Sequence, residues 1–382
     1  MKANKKTLLV LIDWFVPGYK AGGPIQSCAN MCRALHTQYN IFVLTTDTDH
    51  GEKKSYPGII SNQWIYNQEL GVQVFYAEKK SLSTSAIKKT ILSVHADIVY
   101  LNLLFSPLFA VYPLWLRLKG ILKPAVVMCP RGTLYESALS LKRFKKMPLL
   151  GLYRAMGISR KIKFHATNER EKNAILKYFP GSRVIVADNL PSTIQEKLKT
   201  CRKEPGQLKC IFVARIVPIK NLLYLLELLR QVSQEIVFSI AGPPENEAYW
   251  QQCKKSIQQL PPNIKVIYLG AKNHEELKEL LQAHHLFVLP TTGENFGHAI
   301  FESLLAGRPV LISDQTPWKQ LASANAGWEV PLNQPELFVE KLSLLAEADQ
   351  QQFNTYATGA WQYARSFINN PALTAPYTLL FE

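Results

Sequence analysis

The sequence predicts an α/β protein made of two doubly wound, parallel-sheet domains in series, facing one another across a cleft. Two observations carry that prediction. The chain has 382 residues, more than one hydrophobic core usually serves. Short apolar runs without alternation also recur between helical stretches, through residues 1–188 and again through 208–348. Runs of that kind suit strands buried on both faces, and strand–helix alternation builds parallel sheets with right-handed crossovers.

In chain order, Thr7–Ile12 is the first buried strand. The loop after it holds Gly18, Gly22 and Gly23, and a helix follows over about 24–36 with Pro24 in its first turn. Paired glycines before a helix let backbone approach a phosphate or a sugar closely, although the spacing is not GxGxxG and a plain tight turn reads equally well. Strands follow at 41–46, 97–101, 124–128, 163–166 and 183–187, with a ribbon over 59–76 and helices at 83–95, 107–119 and 169–178. The longest uncharged run, Ile98–Leu116, holds Asn102, Pro107 and Pro113, and reads as a buried strand leading into a buried helix rather than a membrane span. Leu141–Lys163 mixes eight basic residues with Leu, Met, Phe and Tyr and has no acid; Pro148 and Gly151 predict a broken helix there.

Asn189–Gln207 is polar, contains Pro191, Pro205 and Gly206, and reads as a linker. The second alternation places strands at 209–213, 236–241, 264–269, 285–289, 309–312 and 327–330, with its clearest helix at 221–232. Residues 349–382 form an aromatic-rich helical tail expected to pack back on the first domain.

Charge is divided unevenly. The net charge is +15; residues 1–188 hold 27 Lys and Arg against 11 Asp and Glu, and the remainder hold 17 against 18. Such a field attracts nucleic acid, anionic lipid headgroups or a diphosphate-bearing substrate. No zinc-finger spacing, RNP-like aromatic motif or basic tail supports nucleic acid. In Leu141–Lys163, Lys142, Arg143, Lys145 and Lys146 are expected to meet an anionic membrane surface, against the plainer reading of a half-buried helix. The six cysteines form no CxxC pair and no metal-ligand spacing, and the apolar run at 7–12 is too short for a signal peptide; reduced thiols in the cytoplasm follow. Asp47 and Asp49 form a DxD pair after a strand, a pattern that holds a divalent metal elsewhere but is common by chance.

The functional signal concentrates in Pro290–Trp318. A strand ends, a loop carries Gly293, Glu294 and Gly297, a helix runs over about 297–306, and Gly307 and Pro309 stop it before the next strand. This unit turns backbone N–H groups and a positive helix end toward an anionic ligand. Glu294 and Glu302 lie eight residues apart, with His298 one turn before Glu302 on the same face. Ionised carboxylates only accept hydrogen bonds, so two of them beside a phosphate cradle suit a ligand with phosphates and many hydroxyls, such as a nucleotide sugar. In the loop 214–221, Arg215 and Lys220 converge on a helix start, as stabilising a diphosphate leaving group requires.

ARIVPIKN together with GENFGHAIFE resembles the retaining glycosyltransferases of family 4, also called glycosyl transferases group 1, whose fold is GT-B: two Rossmann-like domains across a cleft. The match is specific over about 208–331 and loose in the first half, where PRGTL and HATNERE look like segments of relatives that build bacterial surface polysaccharides. The resemblance implies that Arg215 and Lys220 bind the donor diphosphate and stabilise the leaving nucleotide, that Glu302 holds ribose hydroxyls, and that Glu294 contacts the donor sugar. It further places the backbone of Asn295, Phe296, Gly297 and His298 against sugar and phosphate, gives Gly22 and Gly23 the opposite side of the diphosphate, and requires no metal or other cofactor. Many relatives carry His-Gly where this chain has Arg131-Gly132; Arg131 cannot act as a base near neutral pH, and is left as a contact to an acceptor phosphate or to the leaving group.

The function so implied is transfer of a sugar from a nucleotide sugar to a lipid-linked saccharide, with retention, by an enzyme peripheral on the inner membrane face. A nucleotide-sugar epimerase or hydrolase on the same plan, a nucleic-acid-binding protein, and a metal-dependent transferase using Asp47 and Asp49 are the alternatives.

Overall fold

The computed structural model describes residues 5–140, 143–191 and 197–382, and the chain divides into two compact units. The first comprises Met1–Ser192 with Pro371–Glu382, the second Thr193–Asn370.

The first unit contains β1 (Thr7–Leu11), α1 (Gly23–Leu35), β2 (Asn40–Thr46), β3 (Trp64–Asn67), β4 (Val72–Ala77), α2 (Thr84–Ser93), β5 (Ile98–Asn102), α3 (Tyr112–Leu118) and β6 (Ala125–Cys129). α4 (Glu136–Ser140), α5 (Arg143–Ala155), β7 (Lys163–Ala166), α6 (Glu169–Tyr178) and β8 (Val184–Val186) follow. The strand order is β3-β4-β2-β1-β5-β6-β7-β8, parallel throughout except for β3, which pairs antiparallel with β4. The unalternating apolar runs explain this sheet: β5 is buried at all five positions, and Val99, Tyr100 and Leu101 are wholly inside. The uncharged run from Ile98 resolves into β5 and, through a π-helical turn at Pro107–Val111, α3. Among the described residues, no helix is long and apolar enough to cross a membrane.

One expectation is corrected here. Helix α5 runs unbroken through Pro148 and Gly151. Pro148 lacks the N–H that would bond the carbonyl of Phe144, but that residue lies in the first, exposed turn, so the helix forgoes one bond near its end rather than in a buried interior.

The second unit contains β9 (Gln207–Val213), α7 (Leu222–Leu229), β10 (Glu235–Ala241), α8 (Glu247–Ile257), β11 (Ile264–Gly270), α9 (His274–Ala283), β12 (Leu286–Leu289), α10 (His298–Leu305), β13 (Val310–Ser313), β14 (Gly327–Val330), α11 (Pro335–Glu347) and α12 (Gln350–Ile368). Its strands are all parallel in the order β11-β10-β9-β12-β13-β14. The last helix, α13 (Ala375–Phe381), belongs to the first unit.

The expected tail therefore divides. Helix α12 packs on α10, with Phe367 against Phe296, Phe301 and Trp318, so it completes the second core. Only α13 joins the first unit, where the Tyr377 hydroxyl donates to the Asp188 carbonyl at 2.9 Å and Phe381 meets Tyr39 and Tyr100. The cause is the aromatic spacing in α12, which matches the apolar face of α10.

Candidate functional site

In the second sheet the strand order reverses between β9 and β12, so their carboxyl ends flank the crevice where open α/β sheets bind ligands. The loops after these two strands carry Lys220 and Glu294. They are stitched together by the Ile219 carbonyl, which accepts from the Thr291 hydroxyl at 2.9 Å and from the Thr292 N–H at 2.8 Å. The Ser313 hydroxyl donates to the Thr291 carbonyl, and the Glu294 N–H donates to the Gln315 carbonyl at 3.1 Å, which adds the loop after β13.

After β9 the chain makes a tight turn over Pro218–Lys220, then enters α7 through Asn221 with φ 60°. Asparagine tolerates that left-handed conformation. The turn directs the Lys220 ammonium onto the Glu294 carboxylate, an ion pair whose side chains are only 13% and 16% exposed. Arg215, earlier in the same loop, pairs with Glu245 at 2.8 Å. Glu245 follows β10, and the two loops meet at Gly242: a β-carbon there would lie 1.9 Å from the Ala214 carbonyl oxygen. Any larger residue would push Arg215 and Glu245 apart.

Gly297 starts α10 with φ 80°, and a β-carbon on it would lie 2.7 Å from Ile300 Cδ1 and 3.0 Å from Glu294 Cγ. The stem of Glu294 thus packs on the bare face of Gly297, which fixes its carboxylate beside Lys220. Asn295 follows on the same half-buried loop. Phe296 is buried against Phe301 and Trp318, and its carbonyl is taken by the Trp318 indole N–H at 2.5 Å. Its side chain is core, and that carbonyl is committed within the protein. His298 packs beside it, with ring centroids 4.7 Å apart and the rings tilted by 51°. Glu302, one turn further along α10, faces His274 Nδ1 at 3.6 Å.

The second unit therefore places two cations and three carboxylates beyond the carboxyl ends of its strands, four of them on loops and Glu302 on α10. Arg215 and Lys220 can neutralise two phosphate charges. Glu294 and Glu302 can accept hydrogen bonds from hydroxyls.

In the first unit Gly22 stands just before α1 with φ 71°, and Gly23 is its first residue. The loop leading there is anchored by Asp49, whose carboxylate accepts from the N–H groups of Tyr19 at 2.9 Å and His50 at 2.7 Å. Asp47 accepts from Ser55 at 2.7 Å, Ser61 at 2.8 Å and the Lys79 N–H at 3.1 Å. The DxD carboxylates thus fasten loops, and among the described residues no cluster of three or more His, Cys, Asp or Glu is spaced to hold a metal ion.

Arg131 has φ 52° and lies beyond β6. Its guanidinium donates to Asn102 Oδ1 at 2.7 Å and Asn189 Oδ1 at 2.9 Å, with Cys28 Sγ and the Tyr100 hydroxyl each at 3.4 Å. All four are neutral, so the cation keeps its charge uncompensated by any carboxylate among these partners. The turn is held from behind by Glu171, which is fully buried and accepts from the N–H groups of Gly132 and Thr167. The Tyr100 hydroxyl also bonds His165 Nδ1 at 2.7 Å, and His165 Nε2 donates to the Ala187 carbonyl. Burial pushes the pKa of His165 down to about 3, so it is neutral and its Nδ1 can accept a hydrogen bond from the Tyr100 hydroxyl.

Of the basic residues expected at a membrane, Arg143 and Lys145 are exposed at the start of α5. Lys146 is not a free surface cation: its ammonium donates to the Ala138 carbonyl at 2.6 Å and lies 5.3 Å from the centre of the Phe105 ring. The helical period turns it toward the core face of α5 with Leu150 and Tyr153. Lys142 lies outside the described residues.

Several contributors escaped the sequence reading. Glu245 and His274 reach Arg215 and Glu302 only through tertiary folding, although the glycine and prolines before Glu245 at a strand end were a usable signal. Asp49 and Glu171 act through backbone N–H groups, which no spacing reveals.

Comparison with solved structures places the fold. A sucrose-phosphate synthase from Thermosynechococcus elongatus aligns with a TM-score of 0.71 at 15% identity, over 99% of this chain and 98% of that one. HepE of Anabaena, solved with UDP and glucose, aligns at 0.66 and 15% identity over 98% of each chain. WaaG, a glycosyltransferase involved in lipopolysaccharide biosynthesis, aligns at 0.65 and 14% over 98% of each. The protein thus has the two-domain α/β fold of GT-B glycosyltransferases.

Within it, residues 193–359, nearly the whole second unit, match the model of the family Glycosyl transferases group 1. An uncharacterized glycosyltransferase of Methanocaldococcus jannaschii is 28% identical over 127 residues, a stretch that spans 32% of each chain.

Proposed function

We propose that the protein is a metal-independent retaining glycosyltransferase that moves a sugar from a nucleotide sugar to a lipid-linked saccharide. Its setting is the cytoplasmic membrane face, in assembly of a bacterial surface polysaccharide. The observation that carries this reading is the loop after β9. There Arg215 and Lys220 are each poised against a carboxylate, Glu245 and Glu294, at the edge where the strand order reverses.

In the proposed reaction the bond between the sugar's anomeric carbon and the phosphate oxygen breaks, and its electron pair leaves with the nucleoside diphosphate. Lys220 and Arg215 meet that growing charge. The acceptor hydroxyl oxygen bonds the anomeric carbon from the same face, and its proton passes to the departing phosphate oxygen. Glu294 orients the sugar hydroxyls, and Glu302 holds the ribose. Gly22 and Gly23 give the diphosphate room, and Arg131 contacts acceptor phosphate or leaving group. The family match and the UDP and UDP-glucose complexes of HepE support the donor class; WaaG and the basic first unit support the acceptor and the membrane setting.

The test is transfer from a nucleotide sugar to a polyprenyl-diphosphate saccharide, with the product's anomeric configuration read by NMR. Nucleoside diphosphate release should require the acceptor, retain configuration and be unchanged in EDTA. Equal release without acceptor would identify a hydrolase, and activity lost in EDTA and restored by a divalent cation would remove the metal-independent reading.

A further inference from the structure

Helix α5 carries two apolar faces. One, with Leu150 and Tyr153, is buried in the first core. On the other, Phe144, Met147 and Leu152 are 95%, 37% and 53% exposed, and Pro148 and Gly151 between them are exposed too. The spacing of these residues follows the helical period, so they form a continuous stripe along the outer face. Arg143 and Arg154 lie on one flank of the stripe and Lys145 on the other, all exposed. No acidic residue occurs from 141 to 163.

A nearly bare phenylalanine at the start of a continuous apolar stripe marks an interaction face. Its occupant is chosen by the flanks. A second copy of the same stripe would bring like charges together, and an ordinary acidic protein would satisfy the cations without needing apolar depth along the whole helix. An anionic bilayer meets both demands: headgroup phosphates take Arg143, Lys145 and Arg154, and the acyl boundary takes the apolar stripe. We propose that α5 is an interfacial anchor that inserts Phe144, Met147 and Leu152 into an anionic membrane leaflet. The inference rests on the proposed function only for its setting. It adds that attachment is by shallow insertion rather than by charge alone.

The test uses the full chain and vesicles of phosphatidylcholine, with and without roughly 30% phosphatidylglycerol, which supplies the negative surface potential. Wild type should cosediment with the anionic vesicles and keep part of its binding at about 0.5 M salt, where surface charges are screened within a few ångströms. In Phe144→Trp, fluorescence taken as the difference from wild type should shift to the blue on vesicle addition and be quenched by brominated lipid. Phe144→Asp combined with Leu152→Asp should weaken binding by at least about tenfold, as losing burial of two such side chains requires. Phe144→Ser serves should the pair disturb folding, as checked by circular dichroism.

Absent vesicle binding, binding abolished by salt with no blue shift, or a change of oligomeric state in the stripe variants without vesicles would each overturn the inference. Nucleoside diphosphate binding measured in the same samples separates the two ideas. Its presence without vesicle binding sinks the anchor alone, and the reverse sinks the donor reading alone.

Discussion

Lys220 and Glu294 neutralise each other in an ion pair that leaves their side chains only 13% and 16% exposed. The ammonium proposed to meet a diphosphate is thus held by the carboxylate proposed to meet the donor sugar. Ligand binding must exchange one partner for another, and neither charge is ever left bare in a poorly hydrated site. Lys220→Ala should cost transfer roughly 2–4 kcal/mol of transition-state stabilisation, the scale of a lost oxyanion donor. Steady-state kinetics on a variant shown to be folded checks it. Glu294→Gln should lower transfer while tightening nucleoside diphosphate binding by up to about tenfold, since it frees the ammonium from a competing charge.

Arg215 is the more open cation, 43% exposed at its side chain and paired with Glu245. Breaking an exposed pair of this kind changes stability by no more than about 1 kcal/mol. Glu245→Gln should therefore leave the melting temperature nearly unchanged and alter nucleotide affinity, because Arg215 gains freedom to reach phosphate. Unaltered affinity would return the pair to a structural role.

Glu171 has no solvent exposure and receives N–H groups from Gly132 and Thr167, with the Thr167 hydroxyl at 2.6 Å. Glu171→Ala would leave those donors unpaired, at about 1–3 kcal/mol for each buried group. Chemical denaturation should show the first unit destabilised, and the turn that presents Arg131 should lose protection from hydrogen exchange.

Acid should weaken the fold through buried histidines. His165 is pushed down to about 3 and His285 to about 4, from an ordinary value of 6.5, by burial. Both stay neutral in the folded chain while the unfolded chain protonates them, so the unfolded state binds more protons between those limits. Stability then rises with pH across that window, and each histidine adds a slope of up to about 1.4 kcal/mol per pH unit. Thermal unfolding should fall progressively below pH 6.5, and His165→Gln should flatten that fall for the first unit only.

The fold was legible because its strands are unalternating apolar runs between helical stretches, as in β1, β5 and β12. The pairing of Lys220 with Glu294 was half legible: the chemistry of each could be read, but their ion pair depends on the Ile219 carbonyl joining two loops. Helix α5 was misread because a proline in the second turn forgoes only one bond, to a residue in the exposed first turn. The division of the tail was hidden because aromatic spacing fixes an apolar face without naming its partner. His274 carried no signal, since it meets Glu302 only through the fold, and Glu245 carried a partial one in the glycine and prolines before it at a strand end.

The most direct measurement is calorimetric titration of nucleoside diphosphates carrying each common base into wild type and Lys220→Ala, in EDTA. One base should bind the wild type, and the variant should bind it at least about tenfold more weakly, the loss of one charge-assisted phosphate contact. Equal affinity in the two proteins, or no binding of any nucleotide to wild type, would contradict a diphosphate site at Lys220.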